Sequence, residues 1–212
     1  MRKECRKDLA VSVVSFVAFL LWTVALLFID VNPIGPEGSK VGLSSINYAF
    51  HNLTGVNMTL YDITDLLGLV PIAIMLLFAI IGLLQLIKRK KLILVDFDIL
   101  VLGVFYVVLF IVFLAFEVFA VNYRPVLING HLEVSYPSST TLLVMCVIPT
   151  AIMRLKKTLF SLSLALFGVF MVVARTISGV HWITDIVGGI LISTCLVSLY
   201  SFIINIKTTP KV

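Results

Sequence analysis

Six stretches of the chain are apolar for long enough, or nearly long enough, to cross the hydrocarbon of a bilayer. A transmembrane helix needs about 20 such residues. Inside hydrocarbon every backbone polar group must be satisfied within the segment, so the helix is the natural form for runs of this length. The runs cover about 9–29, 66–87, 97–121, 138–153, 159–177 and 183–204, the fourth being short. Composition agrees: 60% of the residues are hydrophobic and 13% charged, whereas soluble domains carry about 25% charge. The predicted fold is all-α, an integral membrane bundle of six transmembrane helices forming a single domain over 1–212. The first run follows basic residues, as in a signal peptide. It is longer than a secretory core and no small-residue cleavage site follows, so a retained span is expected.

Basic residues orient the bundle. If both termini are cytoplasmic, thirteen of the 16 Lys and Arg residues fall on the inner side. They cluster at Arg2–Lys7, Lys88–Lys91, Arg154–Lys157 and the C-terminal tail. This is the bias expected of cytoplasmic loops. The formal charge of +5 is thereby explained by orientation and contact with anionic membrane lipids, and no nucleic-acid partner is expected. The expected location is the cytoplasmic (plasma) membrane, and the short loops and small size fit a bacterial source. The outer segment 30–65 opens with Pro33, Gly35, Pro36 and Gly38, and its later part, 43–60, suits an interfacial helix. Cys5, Cys146 and Cys195 have no metal or disulfide spacing and read as small apolar fillers.

Only Lys40, Arg124 and Arg175 remain on the outer side. A single arginine at a span end can reach out to lipid phosphates. Two of them, with His181 and Asp185 beside the second, better suit a fixed anion site, because the planar guanidinium matches phosphate oxygens. His181 and Asp185 are four residues apart and share a face if the last helix begins near them. An aspartate that accepts from one imidazole nitrogen raises the basicity of the other and makes it a candidate nucleophile. An isolated pair at this spacing is more often a helix-entry hydrogen bond without chemistry.

Arg175-x5-His181-x3-Asp185 resembles the third signature of the type-2 phosphatidic acid phosphatases, relatives of the vanadium haloperoxidases. Arg124-Pro125 matches the end of the first signature, Lys-x6-Arg-Pro. Pro137-Ser138-Ser139-Thr140 stands where the second, Pro-Ser-Gly-His, is expected. The resemblance implies a lipid phosphate phosphatase with its site on the outer face. His181 would attack phosphorus and form a phosphohistidine, with Asp185 orienting it. Arg124, Arg175, Ser138 and Ser139 would bind the phosphate. The resemblance implies no cofactor and no metal. The substrate would be a lipid phosphate such as phosphatidic acid or phosphatidylglycerol phosphate, or a polyprenyl diphosphate.

Two positions depart from the pattern. Thr140 replaces the histidine that protonates the leaving alcohol, a role worth about 10²–10⁴-fold. Glu117 stands where the first-signature lysine belongs, and its charge has the wrong sign for phosphate. Catalysis then needs a substitute acid, for which His131 on the same outer loop is the nearest candidate, or a substrate with a phosphate leaving group. The alternative is a member that binds lipid phosphate without efficient turnover. A channel or transporter finds no support in an inverted repeat.

Overall fold

The computed structural model describes residues 3–155 and 158–207. Arg2, Lys156, Lys157 and Lys211, counted above among the inner basic residues, lie outside the described residues. Eight α-helices form among those described: α1 Lys3–Phe28, α2 Ser44–Thr54, α3 Met58–Leu67, α4 Leu69–Arg89, α5 Phe97–Phe119, α6 Ser139–Leu155, α7 Thr158–Ile177 and α8 Ile183–Lys207. The protein is an all-helical integral membrane protein, and its described residues hold isolated β-bridges but no extended strand. Five segments are long and apolar enough to cross a membrane: α1, the α3–α4 pair, α5, α7 and α8. α6 is shorter, at 17 residues. At 1.5 Å per residue that is about 26 Å of helix, slightly under the ~30 Å hydrocarbon core.

α1 and α8 pack side by side along most of their length. Ser12 Oγ donates to the Cys195 carbonyl at 3.0 Å, and Trp22 Nε1 donates to the Thr184 carbonyl at 3.0 Å. Near the opposite end Ser201 and Asn205 both donate to Asp8. The apolar core lies between α1, α5, α6 and α8 and includes Phe19, Phe105, Tyr106, Tyr136, Val147 and Tyr200. Tyr136 reaches it because Gly188 leaves room. A Cβ at Gly188 would lie 2.3 Å from the Tyr136 ring. Large apolar side chains on the outer faces of α1, α4, α5 and α7 stay exposed, as lipid-facing residues must.

The connections 29–43, 120–138 and 178–182 gather at one end of the bundle, with α2 and α3 beside them. At the other end Arg89 pairs with Asp96 at 2.7 Å and Arg154 with Asp98 at 2.8 Å. Where the sequence predicted one interfacial helix in 43–60, two helices form. They break at Gly55, whose φ of +60° ends α2, and Asn57 restarts the chain by accepting from Leu60 N–H at 2.9 Å. The break is fixed from below: Asn57 N–H donates to the Ser178 carbonyl at 2.9 Å. There Gly179 lies so close that an added Cβ would fall 1.8 Å from the Gly55 oxygen.

Candidate active site

The N-terminus of α8 sets the floor of the site. Asp185, in its first turn and 0% exposed, accepts from the Trp182 backbone N–H at 3.0 Å through Oδ2. That is the returning bond of a capping box, and the helix dipole favours a carboxylate there. Asn122 Nδ2 donates to Oδ1 at 3.2 Å. The third donor is the Ser135 hydroxyl, 2.5 Å from Oδ2. Ser135 Oγ also lies 2.9 Å from His181 Nδ1. His181 Nδ1 and Asp185 Oδ2 are themselves 3.9 Å apart, too far for a hydrogen bond. The direct His–Asp bond expected from the spacing is therefore replaced by a serine bridge.

The bridge is delivered by a short hairpin between α5 and α6. Asn129 and Gly130 both have positive φ, and Ile128 pairs with His131 across them. Beyond this turn Arg124 N–H donates to the Glu133 carbonyl at 3.0 Å, and Ser135 N–H to the Asn122 carbonyl at 2.9 Å. Asn122, Arg124 and Ser135 are thus held together by backbone pairing. Trp182 ties the hairpin to α8 by donating from Nε1 to the Tyr123 carbonyl at 2.8 Å.

Both arginines are buried, Arg175 at 1% and Arg124 at 7% exposure. They share one aromatic support. The Tyr61 ring of α3 lies 4.5 Å from Arg175 Cζ and 5.7 Å from Arg124 Cζ. Arg175 also donates to Thr64 Oγ1 at 3.1 Å and approaches Asp65 Oδ1 at 3.7 Å. Arg124 Nε lies 3.0 Å from Glu133 Oε2 without the alignment of a hydrogen bond. Asp65 is largely exposed and Glu133 partly so, which leaves the buried interior of the site with a positive excess.

Four buried nitrogens in this interior have no hydrogen-bond partner: Arg124 Nε, which has only its ion-pair contact with Glu133, Arg124 Nη1, Arg175 Nε and His181 Nε2. An unsatisfied buried donor costs about 1–3 kcal/mol, and more when charged. An anion with several oxygens would satisfy both guanidinium donors while facing the imidazole nitrogen. Burial, then the Arg124 and Arg175 charges, push the His181 pKa well below its ordinary value. The imidazole is accordingly held neutral, the form a nucleophile requires.

The residues of the second signature position lie differently. Ser138 is fully buried, and its N–H donates to the Asp185 carbonyl at 3.1 Å. Its Oγ accepts from Thr141 Oγ1 at 3.1 Å. Ser138, expected from the sequence to bind phosphate, therefore has its amide spent on joining the start of α6 to α8. Ser139 and Thr140 are partly buried and line an apolar groove of about 1270 Å³ between α4, α5 and α6. The groove begins beside Asp65 and ends near Leu92 and Val95, at the basic end of the bundle. His131 is exposed at the hairpin turn, and among the described residues no hydrogen bond or ion pair joins its imidazole to the site. Glu117 is exposed near the end of α5, lining a small cleft with Ser135 and Ser139.

The sequence reading passed over Ser135, Asn122 and Tyr61. For the first two a signal existed: Asn129-Gly130 is a strong short-range hairpin cue, and folding the chain back there returns 133–135 to 122–124. Tyr61 carried no such cue. His51 was also assigned no role. Its ring lies 5.4 Å from that of Trp182, and partial burial lowers its pKa.

No family model and no curated protein matches the chain. Among solved structures it resembles the crystal structure of the first transmembrane PAP2 type phosphatidylglycerolphosphate phosphatase, from Bacillus subtilis. The TM-score is 0.64 over 93% of this chain and 97% of that one, at 18% sequence identity. At that identity the likeness establishes a shared fold.

Proposed function

We propose that the protein is a membrane phosphatase that hydrolyses a lipid phosphate or a polyprenyl diphosphate at the outer membrane face. The observation that carries this reading is the burial, without partners, of Arg124 Nη1, Arg175 Nε and His181 Nε2, on side chains whose charges act on one another. The shared fold with a PAP2 type phosphatase supports it, as do the signature-like residues that build the interior. In the proposed reaction the guanidinium groups hold the phosphoryl oxygens. His181 Nε2 attacks phosphorus, and the bond from phosphorus to the leaving oxygen breaks. Water then attacks the phosphohistidine, releasing inorganic phosphate and restoring the imidazole. Six spans are proposed, α6 being the short one, with both termini in the cytoplasm of a bacterial cell and the site outside.

The apolar groove suits the lipid tail. Its lining follows α4 from Gly68 to Leu86, which is about 27 Å of helix. That is nearly the whole hydrocarbon thickness, where a diacyl tail fills one leaflet. A polyprenyl chain is long enough to use all of it. A diphosphate also suits Thr140, since its leaving group is a phosphate and needs little protonation. The deciding experiment is phosphate release by the purified protein from a panel of lipid monophosphates and polyprenyl diphosphates. Wild type should release phosphate and His181→Ala should not; equal release by the two would end the enzyme reading. Thr140 favours one second reading, in which the pocket binds lipid phosphate with little turnover. Saturable binding that is lost in Arg175→Ala, without phosphate release, would establish it.

A further inference from the structure

The direct side-chain partner of the proposed nucleophile is a serine, and with Asp185 ionised the hydrogen bonds around it leave one consistent arrangement. Asp185 takes three donors: Asn122 Nδ2 on Oδ1, and the Trp182 N–H and Ser135 hydroxyl on Oδ2. A carboxylate accepts such a set, and the Ser135 hydroxyl has one hydrogen to give. With that hydrogen directed to Asp185, Ser135 Oγ faces His181 Nδ1 at 2.9 Å only as an acceptor. Nδ1 must then carry the imidazole proton. Nε2 is left with its lone pair, buried and without a partner.

We infer that Ser135 is a positioning residue that fixes the nucleophilic tautomer of His181, acting as the middle member of an Asp185–Ser135–His181 relay. The inference rests on the phosphatase reading for its kinetic consequence, though not for the tautomer itself. During attack the imidazole gains positive charge as Nε2 bonds to phosphorus. The Nδ1 proton stays in place, and the charge is felt by Asp185 through the serine dipole. The same chain supports the imidazole again when water displaces the phosphoryl group. The arrangement also accounts for the hairpin. Ser135 N–H bonded to the Asn122 carbonyl holds its hydroxyl at a point from which it reaches both His181 and Asp185, whose Nδ1 and Oδ2 lie 3.9 Å apart.

The test uses the full chain in detergent micelles, with Ser135→Ala, Ser135→Thr and His181→Ala beside wild type. Nitrogen-15 histidine spectra read the tautomer, with His181→Ala identifying the His181 signals. Wild-type His181 should be neutral with the proton on Nδ1, Ser135→Thr should keep that state, and Ser135→Ala should mix or invert the tautomers. On the best lipid phosphate, Ser135→Ala should lower kcat on the order of 10²- to 10⁴-fold, as a mis-set catalytic imidazole does. KM should change little, and Ser135→Thr should recover most of the rate. A wild-type His181 protonated on Nε2 overturns the inference, as does Ser135→Ala with wild-type kcat. If Ser135→Ala does not purify folded, the wild-type spectrum and the Thr variant decide. If wild type releases no more phosphate than His181→Ala, the phosphatase reading falls, while the spectra still judge the relay.

Discussion

The two sides of the site are built to different standards. On the nucleophile side His181 and Asp185 are buried, and Asp185 is surrounded by the donors of Asn122, Trp182 and Ser135. Each of those donors is fixed by a helix terminus or a backbone-paired hairpin. On the leaving-group side Ser139 and Thr140 open on an apolar groove, His131 is exposed at a turn, and among the described residues no charged donor is bonded to either hydroxyl residue. The difference indicates where this protein spends its order. In the proposed reaction attack on phosphorus demands a held imidazole in one tautomer, and the inferred Ser135 bridge would supply it. Departure of an alcohol demands an acid, and that demand is left to the substrate. Under the proposed reaction, a chain assembled this way would favour substrates whose leaving group departs as an anion.

The comparison breaks most decisively at Arg175. Removing its guanidinium by Arg175→Ala should reduce kcat/KM by roughly 10²–10³-fold, the usual loss when one preorganised donor to a developing charge is removed. Steady-state assays on wild type and variant measure it. An effect below tenfold would mean that Arg175, bonded to Thr64 and supported by Tyr61, is a structural tie between α7 and α3. The next largest effect is a gain. Thr140→His places an acid on the deficient side and should raise monoester turnover on the order of 10²-fold. Turnover of a diphosphate should change much less, so the ratio between the two substrates sharpens the contrast directly. Equal gains on both would show that protonation was never the missing element. His131→Ala should alter either rate less than about twofold, within the range of surface substitutions away from chemistry. A monoester rate that collapses in this variant would show His131 swinging in as the acid.

What could be read without coordinates was the part governed by composition and spacing. Long apolar runs gave the long helices, because a bilayer permits few alternatives. Arg124, Arg175, His181 and Asp185 stood out because charge is costly in such a sequence. The bridge by Ser135 did not stand out. Its role depends on a distance of 3.9 Å between His181 and Asp185, set by how the chain enters α8, which no i, i+4 spacing reveals. The Ser138 amide illustrates the opposite failure. The motif suggested an anion contact, yet a buried N–H must find a partner, and the Asp185 carbonyl lies within 3.1 Å. Tyr61 lies just beyond the 43–60 segment expected to form an interfacial helix. The break at Gly55 starts a new helix, α3, which carries the ring onto both arginines.

The smallest predicted effect concerns how well the nucleophile side is insulated. Burial first, then the charges of Arg124 and Arg175, hold the His181 pKa well below the usual imidazole value of about 6.5. A depressed pKa means that the neutral, attacking form persists as the pH falls. The acid limb of kcat/KM, which reports the free enzyme, should therefore lie below that value. The phosphate of the substrate titrates nearby, so the informative quantity is the difference between two proteins on one substrate. Arg124→Gln removes a positive neighbour, lets the imidazole protonate more readily and should move the acid limb upward by a fraction of a pH unit to about one unit. The variant's activity will be low, and the limb is read from the shape of the profile after scaling to its plateau. A limb that stays in place would assign the neutrality of His181 to burial alone. The guanidinium of Arg124 would then serve the phosphate without tuning the imidazole, and the insulation would come entirely from the packing of the hairpin against α8.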